Sequence, residues 1–197
     1  METTTVFFVG KPGCGKGTQA ALLGEETDWP VFASGHLFRE ITKEDTPVGR
    51  LVKRENDTGM LQPHWFAMYL YLKSLFSLKE GQSVIFDGFN RKVPEAELII
   101  DSLTWLGRPF KVINIVISDE EAHKRIDKRR ETSGRTDDHV AAERLTEFYE
   151  HTVKAIALFR DAGALLDIDG ERPVEAIAAD IKVALKLTPP LPVGPTA

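Results

Sequence analysis

Cysteine and long hydrophobic runs are both scarce in this sequence. Cys14 is the single cysteine among 197 residues, which excludes an internal disulfide and any zinc site built from several cysteines. No apolar stretch approaches the roughly 20 residues that a membrane-spanning helix requires, and the opening METTTVFFVG has no basic region typical of a signal peptide. We therefore expect a cytoplasmic protein that does not act in a membrane.

Positive charge is also limited. The chain has 25 Lys and Arg against 30 Asp and Glu, a formal net charge of -5. A general nucleic-acid binder is not expected to be acidic, so an anionic ligand must be held by a local basic cluster. The length suits one domain. We predict that this domain spans residues 1–188 and that the Pro-rich end, residues 189–197, is disordered.

Five short apolar runs alternate with segments of helical pattern. The runs lie at residues 6–9, 31–33, 84–86, 111–117 and 164–168. Most of them lack polar alternation, as expected for parallel strands buried on both faces. The helical patterns cover residues 16–23, 35–43, 49–56, 63–78, 94–106, 119–130, about 145–163 and 173–187. This alternation predicts an α/β fold, with a five-stranded parallel sheet and helices on both faces.

The segment GKPGCGKGTQA (10–20) lies between the first predicted strand and the first predicted helix. It departs from the phosphate-binding pattern G-x-x-x-x-G-K-[ST] because Gly17 fills the Ser/Thr position and Thr18 comes one residue later. In such a loop, backbone N–H groups and the following helix N-terminus point at one anion. Lys16 would add a mobile positive charge for the outer phosphates. We therefore predict a nucleotide-phosphate site of P-loop NTPase type.

A second motif, VIFDGFNR (84–91), places Asp87 at the end of a buried strand. Carboxylates at strand ends beside a P-loop hold Mg²⁺, usually through water. Asp-Gly is also a common turn pair, and taken alone the motif is more simply explained as a turn.

Together, GKPGCGKGTQA, ASGHLFRE (33–40) and DGFNR (87–91) resemble the adenylate kinase family of nucleoside monophosphate kinases. The resemblance extends over nearly the whole chain, to IDGERPVEAIAADI (168–181). It implies a reversible transfer of the γ-phosphoryl group of Mg-ATP to AMP, giving two ADP, by a monomer. It also implies an acceptor-binding insertion at residues 34–68 and a short lid at residues 131–138.

The same resemblance assigns site residues by motif position. The ATP site would comprise Gly13, Cys14, Gly15, Lys16, Gly17, Thr18, Arg125, Arg129 and Arg172, with Mg²⁺ held by Thr18 and Asp87, largely through water. The acceptor site would comprise Ser34, Gly35, Arg39, Met60, Leu61, Gln62, Gly88, Phe89, Asn90, Arg91, Glu95, Arg135 and Arg144. Catalytic charges would come from Lys16, Arg91, Arg125, Arg129, Arg135 and Arg144.

Several residues depart from the family pattern. Lys11 stands where a proline or small residue is usual, and we expect it to point into solvent. Cys14 would fill a small space, and its position at a helix N-terminus beside Lys16 predicts a reactive thiol whose modification blocks nucleotide binding. Trp65 stands where acids are usual and is expected to pack.

Glu95 occupies the position at which the family usually has glutamine to read the acceptor adenine. An ionised carboxylate only accepts hydrogen bonds, which would suit a base edge that offers two donors, such as guanine. AMP is still favoured by the surrounding motifs, with GMP, CMP and UMP as alternatives.

Three other classes of protein fit the motifs less well. A GTPase would need a guanine-reading N-K-x-D sequence, which is absent. Another small-molecule P-loop kinase would not need the SGHLFRE and DGFNR pair. A non-catalytic nucleotide-binding protein of the same fold would not need its basic residues intact, whereas Lys16, Arg39 and Arg91 are all present.

Overall fold

A five-stranded sheet organises the part of the chain that the structure describes. The computed structural model describes residues 3–133 and 140–187, without the side chains of 129–133. The strands are β1 (Thr5–Gly10), β2 (Val31–Ala33), β3 (Val84–Asp87), β4 (Phe110–Val116) and β5 (Leu165–Asp169). Their order across the sheet is β2-β3-β1-β4-β5, and every neighbouring pair is parallel. The predicted fold class is confirmed.

The strand register places the two motifs side by side. Phe8 in β1 is the partner of Asp87 at the end of β3, so the loop after β1 and the motif after β3 leave the sheet at the same edge. Because the carboxyl ends of parallel strands share one edge, ligands of such sheets bind there.

Nine α-helices surround the sheet within the described residues. They are α1 (Lys16–Thr27), α2 (Ser34–Thr42), α3 (Pro47–Asp57), α4 (His64–Phe76), α5 (Val93–Trp105), α6 (Asp119–Ser133), α7 (Ala141–Glu147), α8 (Val153–Asp161) and α9 (Val174–Ala184). Most predicted bounds agree within a few residues. The continuous helix predicted to end near Gly163 is instead α7, a π-helical turn and α8. The Pro-rich end predicted at residues 189–197 lies outside the described residues.

The π-helical turn covers Phe148–Thr152. Its wider winding buries Phe148 and Thr152 and leaves Tyr149 between them 46% exposed. Single π-turns inside helices are frequent near functional sites. Apolar periodicity alone could not distinguish this turn from an ordinary helical one.

The core forms two layers, one on each face of the sheet. Side chains alternate along β1, so that Phe7 and Val9 belong to one layer while Val6 and Phe8 belong to the other. In the first layer Phe7 stacks on Phe86, with ring centroids 5.2 Å apart. Burial on both sides explains why β1, β3 and most of β4 read as uninterrupted apolar runs.

The expectation that Trp65 packs into the protein is wrong. Its side chain is 65% exposed and stacks on the neighbouring Phe66, with centroids 5.4 Å apart. In the part of the chain that is described, no helix is long and apolar enough to cross a membrane.

Candidate active site

The glycine-rich loop between β1 and α1 depends on glycine at two close contacts. Gly10 has φ 141° and Gly13 has φ 82°, a region that other residues rarely adopt. A Cβ on Gly10 would lie 2.5 Å from the carbonyl oxygen of Ile115, and one on Gly13 would lie 2.9 Å from that of Ala122. The loop is therefore tightly packed against β4 and α6.

The ammonium group of Lys16 is held over this loop. Its Nζ donates hydrogen bonds to the carbonyl oxygens of Gly10 at 2.7 Å and Lys11 at 2.9 Å. It also lies 3.4 Å from Sγ of Cys14. These contacts fix a positive charge at the edge where β1 ends.

Cys14 fills a small space in the core, as predicted. The residue is fully buried and packs in the layer that contains Val6 and Phe8. Full burial argues against the predicted reactivity, because a thiol reagent needs access to the sulfur.

The expectation that Lys11 points into solvent is wrong. Its Nζ lies 2.6 Å from Oδ1 of Asp119, the first residue of α6, and its side chain is only 17% exposed. The hydroxyl of Tyr149 donates to the same Oδ1 at 2.6 Å, and Lys11 Nζ lies 5.5 Å from the centre of the Tyr149 ring. Both partners lie more than 100 residues away along the chain, which explains why sequence reasoning missed this contact.

These contacts also affect the pKa values of the ion pair. Burial of Lys11 acts to lower its pKa, but hydrogen bonds to Asp119 and Tyr149 and their charges leave the pKa raised. The hydrogen bond from Lys11, followed by that from Tyr149, lowers the pKa of Asp119. The pair is therefore ionised near neutral pH.

One cleft of about 1160 Å³ runs along this edge of the sheet. It brings together most of the predicted site, namely Gly13, Cys14, Gly15, Lys16, Gly17, Thr18, Ser34, Gly35, Arg39, Met60, Leu61, Gln62, Asp87, Gly88, Asn90, Arg91, Glu95, Arg125, Arg144 and Arg172. Phe89 does not line the cleft, because its side chain is fully buried in the core. The side chain of Arg129 and the whole of Arg135 lie outside the described residues.

The motifs that contain Ser34 and Asp87 are joined directly. The hydroxyl of Ser34 donates to the carbonyl oxygen of Gly88 at 2.8 Å. Gly88 has φ 79°, and a Cβ there would lie 2.5 Å from Nη2 of Arg91. The guanidinium of Arg91 therefore lies across the Gly88 turn, at the wall of the cleft.

Three cleft residues carry buried polar atoms without a partner among the described residues. The atoms are Oδ1 of Asp87, both amide atoms of Asn90 and Oε1 of Gln19. Such atoms are costly unless a ligand, ion or water satisfies them. Sequence reasoning missed Gln19, whose only signal was its place directly after Thr18; its Nε2 donates to the carbonyl of Val174 at 3.0 Å.

Glu95 is the third residue of α5 and is only 3% exposed. Its Oε2 accepts hydrogen bonds from the backbone N–H groups of Arg91 at 2.7 Å and Lys92 at 3.1 Å. Burial, only partly offset by these hydrogen bonds, raises the pKa of Glu95 to about 7. Glu95 lines the cleft, and its second oxygen, Oε1, is used by neither of these hydrogen bonds.

Lys92 is a second residue that sequence reasoning missed. Its Nζ donates to the carbonyl oxygens of Leu61 at 3.3 Å and Gln62 at 3.1 Å. It therefore ties the segment before α4 to the start of α5. The only sequence signal was a basic residue directly after DGFNR.

Two arginines predicted for the donor side are held by neighbouring acids. Nε of Arg125 donates to Oε1 of Glu121 at 2.6 Å, and Arg172 pairs with Asp180. Both arginines line the cleft.

A buried parallel strand, a glycine-rich loop with a lysine, and a helix that starts at this cleft together define a P-loop nucleotide-binding protein.

Comparison with known proteins gives the family. A family model described as adenylate kinase matches residues 8–164. The adenylate kinase of Maricaulis maris is 34% identical over 184 residues, 92% of this chain and 98% of that protein. Adenylate kinase 1 of a Synechocystis species is 33% identical over 92% of this chain and 96% of its own length. The adenylate kinase of Thermus thermophilus is 32% identical over 91% of this chain and 96% of its own length.

The chain belongs to the adenylate kinase family. This confirms the resemblance that the sequence motifs indicated.

Proposed function

We propose that this protein is an adenylate kinase that transfers the γ-phosphoryl group of Mg-ATP to AMP and forms two ADP. The observation that carries the proposal is the cleft itself, which contains Lys16 and the glycine-rich loop together with Arg39, Arg91 and Glu95. A single cleft with two groups of cationic and hydrogen-bonding residues suits two phosphorylated nucleotides that react with each other.

Charge and position would carry the catalysis. The loop N–H groups and Lys16 would hold the donor phosphates, and Arg39 and Arg91 would clamp the acceptor phosphate through planar, bidentate contacts. The acceptor oxygen is already anionic near neutral pH, so its attack needs no general base. Arg125 and Arg144, which also line the cleft, would spread the charge of the transferring group.

Magnesium fits the residues at the end of β3. Asp87 supplies a carboxylate with one buried, unpaired oxygen, and Thr18 supplies a hydroxyl in the same cleft. Such hard oxygen donors suit Mg²⁺. When bound, the ion would neutralise charge on the donor phosphates, while Asp87 and Thr18 would hold its water shell in place.

AMP is the acceptor that the surroundings of Glu95 favour. One carboxylate oxygen is already used by two backbone N–H groups, which leaves Oε1 for the base. Protonated, Oε1 would donate to N1 of adenine; ionised, it would accept from the adenine amino group. Guanine offers two donors side by side, and a single oxygen matches them less well.

We further propose the division of the chain that the motifs predicted. Residues 34–68 would form the acceptor-binding insertion, which includes α2, α3 and the start of α4. Residues 131–138, most of which lie outside the described residues, would form a short lid that excludes water during transfer. The family resemblance also underlies the proposal that the protein works as a cytoplasmic monomer.

An acceptor panel tests this function. The purified protein is incubated with Mg-ATP and, separately, AMP, GMP, CMP or UMP, and nucleoside diphosphate is measured by chromatography. AMP is expected to give the highest kcat/KM. A higher value for another monophosphate would change the acceptor, and tight nucleotide binding without any turnover would show a non-catalytic protein.

A further inference from the structure

Lys11 has a second link to the site besides its ion pair. Its carbonyl oxygen accepts a hydrogen bond from Nζ of Lys16 at 2.9 Å, and it also accepts from the backbone N–H of Cys14 at 3.2 Å. The main chain of Lys11 therefore helps to hold the Lys16 ammonium group in place. The Lys11 side chain forms its ion pair with Asp119.

We infer that Lys11 is a positioning residue. Its carbonyl oxygen holds Lys16, and its side chain anchors this peptide group to Asp119 and Tyr149. This inference rests on the proposed function, because it concerns the placement of the phosphate-binding lysine. The anchor acts through the Lys11 main chain, and the Lys11 ammonium does not itself contact the nucleotide.

The contacts favour anchoring over direct phosphate binding. Lys11 Nζ is paired with a carboxylate at 2.6 Å and lies 5.5 Å from the centre of an aromatic ring, an arrangement that holds a cation in place. The carboxylate is bound a second time, by the Tyr149 hydroxyl at 2.6 Å. An ammonium group held in this way has its charge neutralised, and Lys11 is not among the residues that line the cleft.

The anchor also joins three segments of the chain. Lys11 lies in the glycine-rich loop, Asp119 begins α6, and Tyr149 lies in the π-helical turn. Residues 131–138 lie between the second and third segments along the sequence. The loop that seats Lys16 is therefore attached to the structures on both sides of that stretch.

Matched substitutions test the inference with kcat and the KM for Mg-ATP, measured at a temperature well below each variant's unfolding midpoint. Lys11→Met and Asp119→Asn each break the ion pair, and Lys11→Arg retains it. Lys182→Met serves as the control, because Lys182 forms an ion pair of 2.9 Å with Glu26 between α9 and α1, away from the Lys11 anchor. Displacing a positioned charge lowers kcat, and we expect about a tenfold loss.

The predicted pattern is specific. Lys11→Met and Asp119→Asn lower kcat to a similar extent, the double variant is no slower than either single one, and Lys11→Arg restores most of the rate. The Mg-ATP KM changes less than kcat, because the contact acts on the placement of a transition-state charge. Lys182→Met retains the wild-type kcat.

Other outcomes overturn the inference. A wild-type rate in Lys11→Met shows that the anchor has no effect. A raised Mg-ATP KM in Lys11→Met, with none in Asp119→Asn, shows that Lys11 binds phosphate directly. If the wild-type protein transfers no phosphoryl group at all, the proposed function fails instead, and the two failures are thereby distinguished.

Discussion

Oε2 of Glu95 accepts a hydrogen bond from the backbone N–H of Arg91 at 2.7 Å. This contact joins the residue proposed to read the acceptor base to the residue proposed to bind the acceptor phosphate. It also uses one of the two carboxylate oxygens, so the base meets the other. On the proposed assignment, selectivity for the acceptor depends on the protonation of Glu95, whose pKa is about 7.

Acceptor selectivity should depend on pH. Below pH 7, protonated Glu95 donates to N1 of adenine, an interaction that the N1–H of guanine cannot accept. Above about pH 7, the ionised oxygen accepts from either base, so the ratio of kcat/KM for AMP to that for GMP falls as pH rises. Steady-state kinetics across this pKa measure the ratio. In Glu95→Gln the ratio of kcat/KM for AMP to that for GMP should not vary with pH. A ratio independent of pH in the wild type would contradict the role of Glu95 in reading the base.

Glu95 should also make the fold less stable as pH rises from 4.5 to about 7. Burial raises its folded-state pKa to about 7 from the ordinary 4.5, so the folded protein binds more protons between these values. The stabilisation is complete below the unfolded pKa and is lost as pH rises through about 7, with an upper limit of about 3 kcal/mol. Urea unfolding on the acid and alkaline sides of this range measures the difference. Glu95→Gln should reduce it, and an equal pH dependence in both proteins would exclude Glu95 as its source.

Lys16→Met should remove most of the activity without unfolding the protein. It removes the charge that lies above the glycine-rich loop, and loss of one such stabilising group typically costs about 10²–10³ in rate. Coupled kinetics give kcat, and circular dichroism tests the fold. Lys182→Met, which removes a lysine from a distant ion pair, is the control. A Lys16→Met enzyme with near-normal turnover would exclude this loop as the phosphate site.

Cys14 should resist thiol reagents in the native protein. Its side chain is fully buried, so labelling requires local or global opening. Ellman's reagent should react rapidly in guanidinium chloride and slowly in buffer, and activity should survive during the slow phase. Fast labelling of the native protein with simultaneous loss of activity would instead support a reactive thiol.

Features encoded within short segments were predictable from the sequence. The strands stood out as apolar runs because β1, β3 and β4 are covered on both faces, and the motif around Lys16 requires only neighbouring residues. The contact between Ser34 and Gly88 joins two family motifs that were each recognisable by themselves. Each of these signals lies within about ten residues, which is the range over which pattern reasoning works.

Features that depend on the folded chain were not predictable in the same way. Lys11 was expected in solvent. Its partners Asp119 and Tyr149 could not be foreseen, because only the sheet order and the packing of α6 bring them to it. The prediction for Glu95 considered its side-chain chemistry alone. Its hydrogen bonds to backbone N–H groups and its burial change the hydrogen bonds that it can form with a base. Trp65 was expected to pack, yet its side chain is 65% exposed on α4.

The stoichiometry of the reaction with Mg-ATP and AMP shows whether this protein transfers phosphoryl groups between two bound nucleotides. We expect that two ADP form for each AMP consumed, that no inorganic phosphate accumulates, and that omission of AMP stops the consumption of ATP. Release of phosphate from ATP without loss of AMP would identify a hydrolase, and would contradict the proposed phosphoryl transfer between two bound nucleotides.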